Sequence, residues 1–162
     1  LKISSVITVE SILYEELEEI FREMDISYRK LCSMEGKSLI LFFRAKELQE
    51  YLIRPDIRSL LEAFGYHSKN LEPCLSRLSE RVCVFSERGM GFPHEIGVFL
   101  GYPAEDVSGF IENEGQRYRM SGYWKVYGDI SEAQTTFNAY DRAKDHAVNE
   151  FLIGKSIQEI AQ

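Results

Sequence analysis

The fold of this chain is decided by residues 91–128, which read GFPHEIGVFLGYPAEDVSGFIENEGQRYRMSGYWKVYG. Pro93 and Pro103 each predict the start of a short helix, because the φ of proline is helical and its missing N–H costs nothing at a first position. Gly101 and Gly115 are expected to end these helices. The apolar residues between these limits recur at helical spacing: Ile96, Phe99 and Leu100, then Val107, Phe110 and Ile111.

A change of hydrophobic period from about 3.6 residues to 2 predicts that residues 117–127 form an extended strand with Trp124 on its apolar side. The other side is basic and aromatic, with Arg117, Arg119, Tyr123, Lys125 and Tyr127. Because arginine and lysine bind anions and tyrosine offers a ring with a polar tip, this row is the predicted ligand-binding face. A break at residues 121–122 would change the register. The alternative is a face that only meets solvent or is covered by the C-terminal helix.

The N-terminal part of the sequence predicts a strand, a helix and a hairpin. Residues 3–9 are rich in β-branched side chains, which favours a strand, and residues 13–24 carry an apolar stripe at helical spacing. A turn at 35–37 is expected to join two further strands. The second of these, 38–43, is apolar at nearly every position, as expected for a central strand. This βαββ start predicts a small mixed or antiparallel sheet, with about four strands in the whole chain.

The remaining segments are predicted to be helical. Pro55 and residues 65–67 divide the region 45–85 into three helices. Asp129, with a glutamate three residues later, resembles a capping box and starts a long amphipathic helix that Gly154 is expected to end. The predicted class is therefore α+β, with a small sheet packed against several helices. At 162 residues and 44% hydrophobic content, the chain is expected to form a single domain over 1–162.

Composition limits the classes of function. The formal charge of −7 and the pI near 5.1 argue against a general nucleic-acid binder, which would need a dominant positive field. Three cysteines without a C-x-x-C spacing indicate neither a disulfide framework nor a zinc knuckle. The longest apolar run, 39–43, is far shorter than the roughly 20 residues of a membrane-spanning helix. A cytoplasmic protein that is not bound to a membrane is therefore expected.

His94 and Glu95 are the best catalytic candidates, because they lie at a helix start after a glycine-containing loop whose free N–H groups could hold an anion. A small enzyme acting on an anionic molecule would use His94 as acid or base, Glu95 to orient it and Lys125 to stabilise charge. The alternative is that both residues serve only the helix start. Adjacent helical residues point about 100° apart, so no metal site is predicted. Familiar catalytic fingerprints are absent, and the sequence identifies no cofactor.

The preferred hypothesis is a non-enzymatic binding or adaptor domain. The basic and aromatic face, together with the loop 89–95, would engage an anionic ligand or an acidic segment of a protein partner. The acidic total charge and the lack of an RNP-like motif argue against RNA as that partner. An unpaired strand edge would also permit a homodimer.

The strings FPHEIGVFLGYPAEDVSGFIENEG and GYWKVYGD, followed by an AxxxFxxY pattern from Ala133, closely resemble an uncharacterised bacterial family, domain of unknown function 3793. The resemblance is most specific over 91–140, and it implies a bacterial cytoplasmic setting without a particular reaction. Relatives carry cysteines just before the GYWKVY string and near the end of the long helix. This chain has Met120 and Ser121 at the first place and no cysteine after Cys83. The resemblance therefore implies no thiol-based metal or redox site here.

Overall fold

The N-terminal part of the chain forms a three-stranded antiparallel sheet. The computed structural model describes residues 2–22, 24–89 and 91–161, and its first strands are β1 at Ser4–Glu10, β2 at Ser27–Met34 and β3 at Lys37–Phe43. The strand order is β1-β3-β2. A turn with positive φ at residues 35 and 36 joins β2 to β3, which confirms the predicted hairpin. The edges of this sheet are β1 and β2, and the homodimer expected through an unpaired edge stays a prediction.

The central strand β3 is buried on both faces, as its apolar sequence predicted. Ile40 and Leu41 are fully buried on opposite faces. Leu41 and Phe43 belong to the main core, while Phe42 packs on the other face with its ring centroid 4.9 Å from that of Phe21. The strand therefore separates a large core from a smaller aromatic cluster.

The connection between β1 and β2 differs from the single helix predicted over 13–24. A 3-10 turn at Ser11–Tyr14 precedes a short helix, α1, at Glu16–Phe21. Because β2 lies on the far side of β3 from β1, this connection crosses the sheet, and α1 covers the face that carries Phe42. The predicted apolar stripe is confirmed only in part, since Leu17 is buried but Leu13, in the 3-10 turn, is exposed.

Three helices cover the other face of the sheet, and their division confirms the prediction. They are α2 at Ala45–Leu52, α3 at Pro55–Ala63 and α4 at Leu71–Arg88. The main core also receives side chains from the next two helices, and its fully buried members include Leu48, Leu52, Ile57, Leu61, Leu75, Leu78, Val98 and Phe99. This core anchors the segment that carries the candidate site.

Two short helices follow, as the prolines predicted. They are α5 at Ile96–Phe99 and α6 at Ala104–Glu112. α5 starts later than expected, because residues 94 and 95 form a turn before it. α6 ends where Gly115, with φ of +70°, donates its N–H to the carbonyl of Phe110 at 2.8 Å. A residue with a side chain would be strained at that φ.

Hydrogen bonds from side chains attach α5 and the loop after it to the rest of the fold. The hydroxyl of Ser4 donates to the carbonyl of Phe99, which links β1 to the end of α5. The hydroxyl of Tyr51 on α2 donates to the carbonyl of Tyr102 at 2.6 Å. Burial of Tyr51 raises the pKa of its hydroxyl well above the usual range. The phenol therefore stays protonated and keeps its role as donor.

The segment predicted as one strand over 117–127 is instead a two-stranded antiparallel ribbon. Its strands are β4 at Met120–Ser121 and β5 at Lys125–Val126. The N–H of Gly122 donates to the carbonyl of Trp124 at 3.0 Å and closes the turn between them. The turn reverses the chain, so the alternation of faces cannot run through it. Trp124 nevertheless faces inward, and with Val126, Ala133 and Phe137 it forms a second core.

The long C-terminal helix α7 spans Ile130–Leu152, and a short α8 spans Ile157–Ala161. The first half of the predicted capping box is present, since the Asp129 carboxylate accepts from the N–H groups of Ser131 and Glu132 at 2.8 and 3.0 Å. The second half differs, because the N–H of Asp129 donates to the carboxylate of Glu105 on α6 at 3.4 Å. Within the described residues, no helix is long and apolar enough to cross a membrane.

Gly122 is expected to be intolerant of a side chain, because a Cβ there would lie 2.2 Å from Cε2 of Phe137. Gly122→Ala should lower the free energy of unfolding by about 1 to 3 kcal/mol through overpacking. Urea denaturation followed by Trp124 fluorescence measures this loss. In a double-mutant cycle, Phe137→Leu should cost less in the Gly122→Ala background than alone. Strictly additive losses would contradict the proposed clash.

Candidate functional site

A buried carboxylate from the first turn of α6 holds the β4–β5 ribbon in place. Asp106 is 3% exposed and accepts three hydrogen bonds, from Trp124 Nε1 at 2.6 Å, Tyr127 N at 2.7 Å and Gly128 N at 2.8 Å. In the first turn of α6, this carboxylate also opposes the positive end of the helix dipole. The ring of Tyr102 stacks on Trp124 with centroids 4.9 Å apart, which adds a second fixed contact to the indole. The ribbon therefore has one defined position against α6.

A cleft of about 360 Å³ lies between the turn before α5, the helix α6 and the ribbon. Its walls are mainly apolar and aromatic. They comprise Phe92, Ile96, Gly97, Leu100, Tyr102, Val107, Phe110, Gly122 and Trp124, with His94, Asp106, Ser121 and Lys125 as the polar members. Such a volume and lining are typical of sites for small molecules.

The polar groups His94 and Lys125 both lie near the ring of Phe110. The imidazole of His94 lies with its centroid 5.0 Å from that of Phe110, and Lys125 Nζ lies 5.6 Å from the same centroid. Lys125 Nζ also lies 4.8 Å from the ring of Tyr118 and donates to the carbonyl of Gly115 at 2.6 Å. In the described part of the chain, no carboxylate lies within 4.0 Å of this ammonium. The cleft therefore contains a cation that is fixed but not neutralised.

The structure does not bring Glu95 to His94. Glu95 is fully buried, and its carboxylate accepts from the hydroxyl of Tyr66 at 3.0 Å and from the guanidinium of Arg81. Burial and the neighbouring carboxylate raise the pKa of Tyr66 above its usual range. His94 is exposed and faces the cleft. Adjacent positions in the turn thus send the two side chains in different directions, and the orienting role predicted for Glu95 has no geometric basis.

The structure does not bring the residues of the predicted ligand-binding row together. Only Lys125 lines the cleft. Arg119 Nη1 donates to the carbonyl of Gly128 at 2.7 Å, and the hydroxyl of Tyr127 donates to the carbonyl of Gln116 at 2.9 Å, so both stabilise the ends of the ribbon. Arg117 is exposed, with φ of +58°. The row assumed a continuous strand, and the turn at 122–124 removes that continuity.

Tyr123 lies at α7, outside the cleft. Its hydroxyl donates to the carboxylate of Asp141 at 2.8 Å, and this hydrogen bond is the main cause of a raised pKa of Tyr123. Its ring makes an edge contact with Tyr140, with centroids 5.1 Å apart. The residue that the sequence placed beside Lys125 therefore belongs to a different surface.

The family of this chain is shown by its sequence as a whole. A family described as protein of unknown function, DUF3793, matches residues 1–161. The chain belongs to this family. No curated protein and no solved structure matches this chain. The family description assigns no function, so the chemistry of the cleft has to be argued from its own residues.

The cysteines of this family member are free and lie apart from the cleft. Cys32 and Cys74 are buried, and Cys83 is half-buried. Burial raises the pKa of Cys83 to about 11, which leaves little thiolate at neutral pH. Across residues 2–22, 24–89 and 91–161, no group of three or more His, Cys, Asp or Glu side chains is placed to hold a metal ion.

Several residues that form the cleft were not identified from the sequence as site residues. Asp106 and Tyr102 are absent from the predicted site residues, and Phe110 was predicted only as part of the apolar stripe of the second helix. One local signal was available, since an aspartate in a first helical turn, beside an apolar stripe, can point inward. The three groups that donate to Asp106 lie 18 to 22 residues later in the sequence, and no spacing rule connects them with Asp106.

Proposed function

We propose that this protein is a cytoplasmic binding domain that takes a small molecule with an apolar body and one anionic group, such as an aromatic or branched carboxylic acid. The observation that carries the proposal is the cation of Lys125, which with His94 lines an apolar cleft of about 360 Å³ beside the ring of Phe110. The apolar lining of the cleft restricts the anionic ligand predicted from the sequence to molecules with a substantial apolar part.

The apolar body is argued from the walls of the cleft. Ile96, Leu100 and Val107 provide aliphatic surface, and Phe110 and Trp124 provide ring faces and edges. Apolar surface transferred from water contributes roughly 25 cal/mol for each Å² buried. A ligand with one ring or a branched chain would therefore gain most of its affinity here, while a fully polar ligand would leave these walls uncovered.

The anionic group is argued from Lys125. An ammonium has three donors, and the carbonyl of Gly115 takes one of them. Among the described residues that line the cleft, the one carboxylate is that of Asp106, and three N–H groups already donate to it. A ligand carboxylate would supply the missing negative charge, and an N–H of His94 could bind its second oxygen.

The direct test uses phenylacetate as the probe and phenylacetamide as its neutral match. Trp124 is the single tryptophan, so its fluorescence reports occupancy of the cleft without a label. Phenylacetate should give a saturable change, and Lys125→Met should raise its Kd about tenfold, as loss of a charge-assisted hydrogen bond does. Phenylacetamide should bind more weakly and lose little affinity in Lys125→Met.

The matched control is Lys46→Met, which removes the same charge from an exposed position on α2 that is not part of the cleft. It should leave the Kd of phenylacetate unchanged. The proposal is wrong if phenylacetate and 4-methylpentanoate both fail to produce a saturable change. It is also wrong if Lys125→Met binds phenylacetate as tightly as the unmodified chain.

A second candidate function is a small enzyme, because His94 and Lys125 line the same cleft. His94 would act as acid or base and Lys125 would stabilise charge on an anionic substrate, without an orienting carboxylate from Glu95. Release of 4-nitrophenol from 4-nitrophenyl phosphate provides the assay. Turnover that is lost in His94→Gln while phenylacetate still binds would favour the enzyme. Absence of turnover would argue against hydrolysis of phosphate esters in this cleft.

A further inference from the structure

A second depression, of about 370 Å³, lies where α7 meets the start of the chain and the start of α2. It is lined by Lys2, Arg44, Tyr123, Tyr140, Ala143 and Lys144, and it shares no residue with the cleft described above. The basic and aromatic combination that the sequence predicted on one strand therefore occurs here, assembled from four separate segments.

The three cations of this depression have no acidic partner among the residues that the structure describes. None of the ion pairs within 4.0 Å involves Lys2, Arg44 or Lys144. Three positive groups therefore line one concave surface of a chain whose net charge is −7. Their mutual repulsion is a cost to the fold that a bound anion would relieve.

The aromatic residues hold one of these cations in place. Lys2 Nζ lies 5.0 Å from the ring centroid of Tyr123 and 5.6 Å from that of Tyr140. Cation–π contacts of this kind orient the ammonium without neutralising its charge. Partial burial lowers the pKa of the Lys2 ammonium. An ammonium that is oriented by two aromatic rings and has no carboxylate partner within 4.0 Å among the described residues can donate its N–H groups to a negatively charged oxygen.

The acidic groups nearby are already engaged or peripheral. The carboxylate of Asp141 accepts from the hydroxyl of Tyr123, and Asp145 acts on the same tyrosine only through its charge. Neither carboxylate lines the depression. The phenol of Tyr123 points to Asp141, so the ring, rather than the hydroxyl, supports the site.

We propose that this depression is a binding site for a small multiply charged anion with phosphate groups, such as a phosphomonoester or pyrophosphate. Each oxygen of a phosphate can accept from a different donor, and guanidinium and ammonium groups are the usual phosphate ligands of proteins. A carboxylate carries one charge and could neutralise only one of the three cations. The small volume excludes a large polymer from the depression itself.

The test measures binding of inorganic pyrophosphate by calorimetry, with sodium chloride at equal ionic strength as the reference. Arg44→Gln and Lys144→Gln should each raise the Kd about tenfold. Lys46→Gln is the matched control, since it removes one exposed charge two residues from Arg44 but outside the site. Lys125→Met should also leave pyrophosphate binding unchanged, so the outcome is independent of the carboxylate cleft.

Several results would overturn this proposal. Heat no larger than that of sodium chloride would show that no site exists, and equal weakening by Lys46→Gln would show a general charge effect. Lys144 is exposed on α7, so Lys144→Gln keeps the test valid even if Arg44→Gln disturbs the start of α2. A short single-stranded oligonucleotide that binds more tightly than pyrophosphate, and depends on Lys144, would reassign the surface to nucleic acid.

Discussion

Asp106→Ala is expected to destabilise the fold by about 3 to 4 kcal/mol, because it leaves three N–H donors without their acceptor. The indole N–H of Trp124 and the backbone N–H groups of Tyr127 and Gly128 all donate to this carboxylate, which is 3% exposed. Urea denaturation followed by circular dichroism measures the loss. Trp124 fluorescence in the folded variant should also shift, since the indole loses its partner.

Two further variants separate the hydrogen bonds from the charge. Asp106→Asn keeps one oxygen for the backbone donors of Tyr127 and Gly128 but turns an NH₂ toward Trp124, so about half of the loss is expected. Glu105→Ala removes an exposed acidic group from the same helical turn and should cost only about 0.3 to 1 kcal/mol, through the dipole and the long hydrogen bond from the N–H of Asp129. If Glu105→Ala costs as much as Asp106→Ala, the ribbon is not held by these bonds.

Arg81→Met is expected to cost about 3 to 5 kcal/mol, because it leaves the carboxylate of Glu95 buried without its cation. The side chain of Glu95 is 0% exposed and that of Arg81 is 30% exposed. The guanidinium of Arg81 is the cation that the structure places against the Glu95 carboxylate. The hydroxyl of Tyr66 would remain as a partner at 3.0 Å, but it carries no charge. The loss is measured by urea denaturation at neutral pH.

The double variant Arg81→Met, Glu95→Gln identifies the cause. A neutral amide at position 95 removes the buried charge, so the double variant should be more stable than Arg81→Met alone, although each substitution separately destabilises. A double variant as unstable as the sum of the single changes would contradict this account. If Glu95→Gln left stability unchanged but abolished activity in the 4-nitrophenyl phosphate assay, Glu95 would have a chemical role after all.

The position of Glu95 shows why a motif cannot decide between fold and function. His94 and Glu95 are neighbours in sequence and lie at a helix start, a setting that suits both an acid–base pair and a structural pair. The turn before α5 directs one side chain into the cleft and the other into the core. The decisive partners, Tyr66 and Arg81, are 29 and 14 residues away. Their approach depends on how α3 and α4 pack.

The sequence by itself determined the local elements of this protein. The hairpin of β2 and β3, the three helices after it, the cap at Asp129 and the helix end at Gly115 all follow from hydrophobic period, turn residues and caps. These features depend on interactions among residues close in sequence, which is why spacing and composition predict them.

Only the tertiary structure decided which side chains share a site. The ribbon turn at 122–124 separated Tyr123 from Lys125, and the packing of α7 brought Tyr123 to Lys2 and Lys144 instead. Asp106 became the acceptor for a ribbon whose residues lie far along the chain. Such groupings arise from side-chain packing between distant segments, where a change of one residue in register redirects every contact.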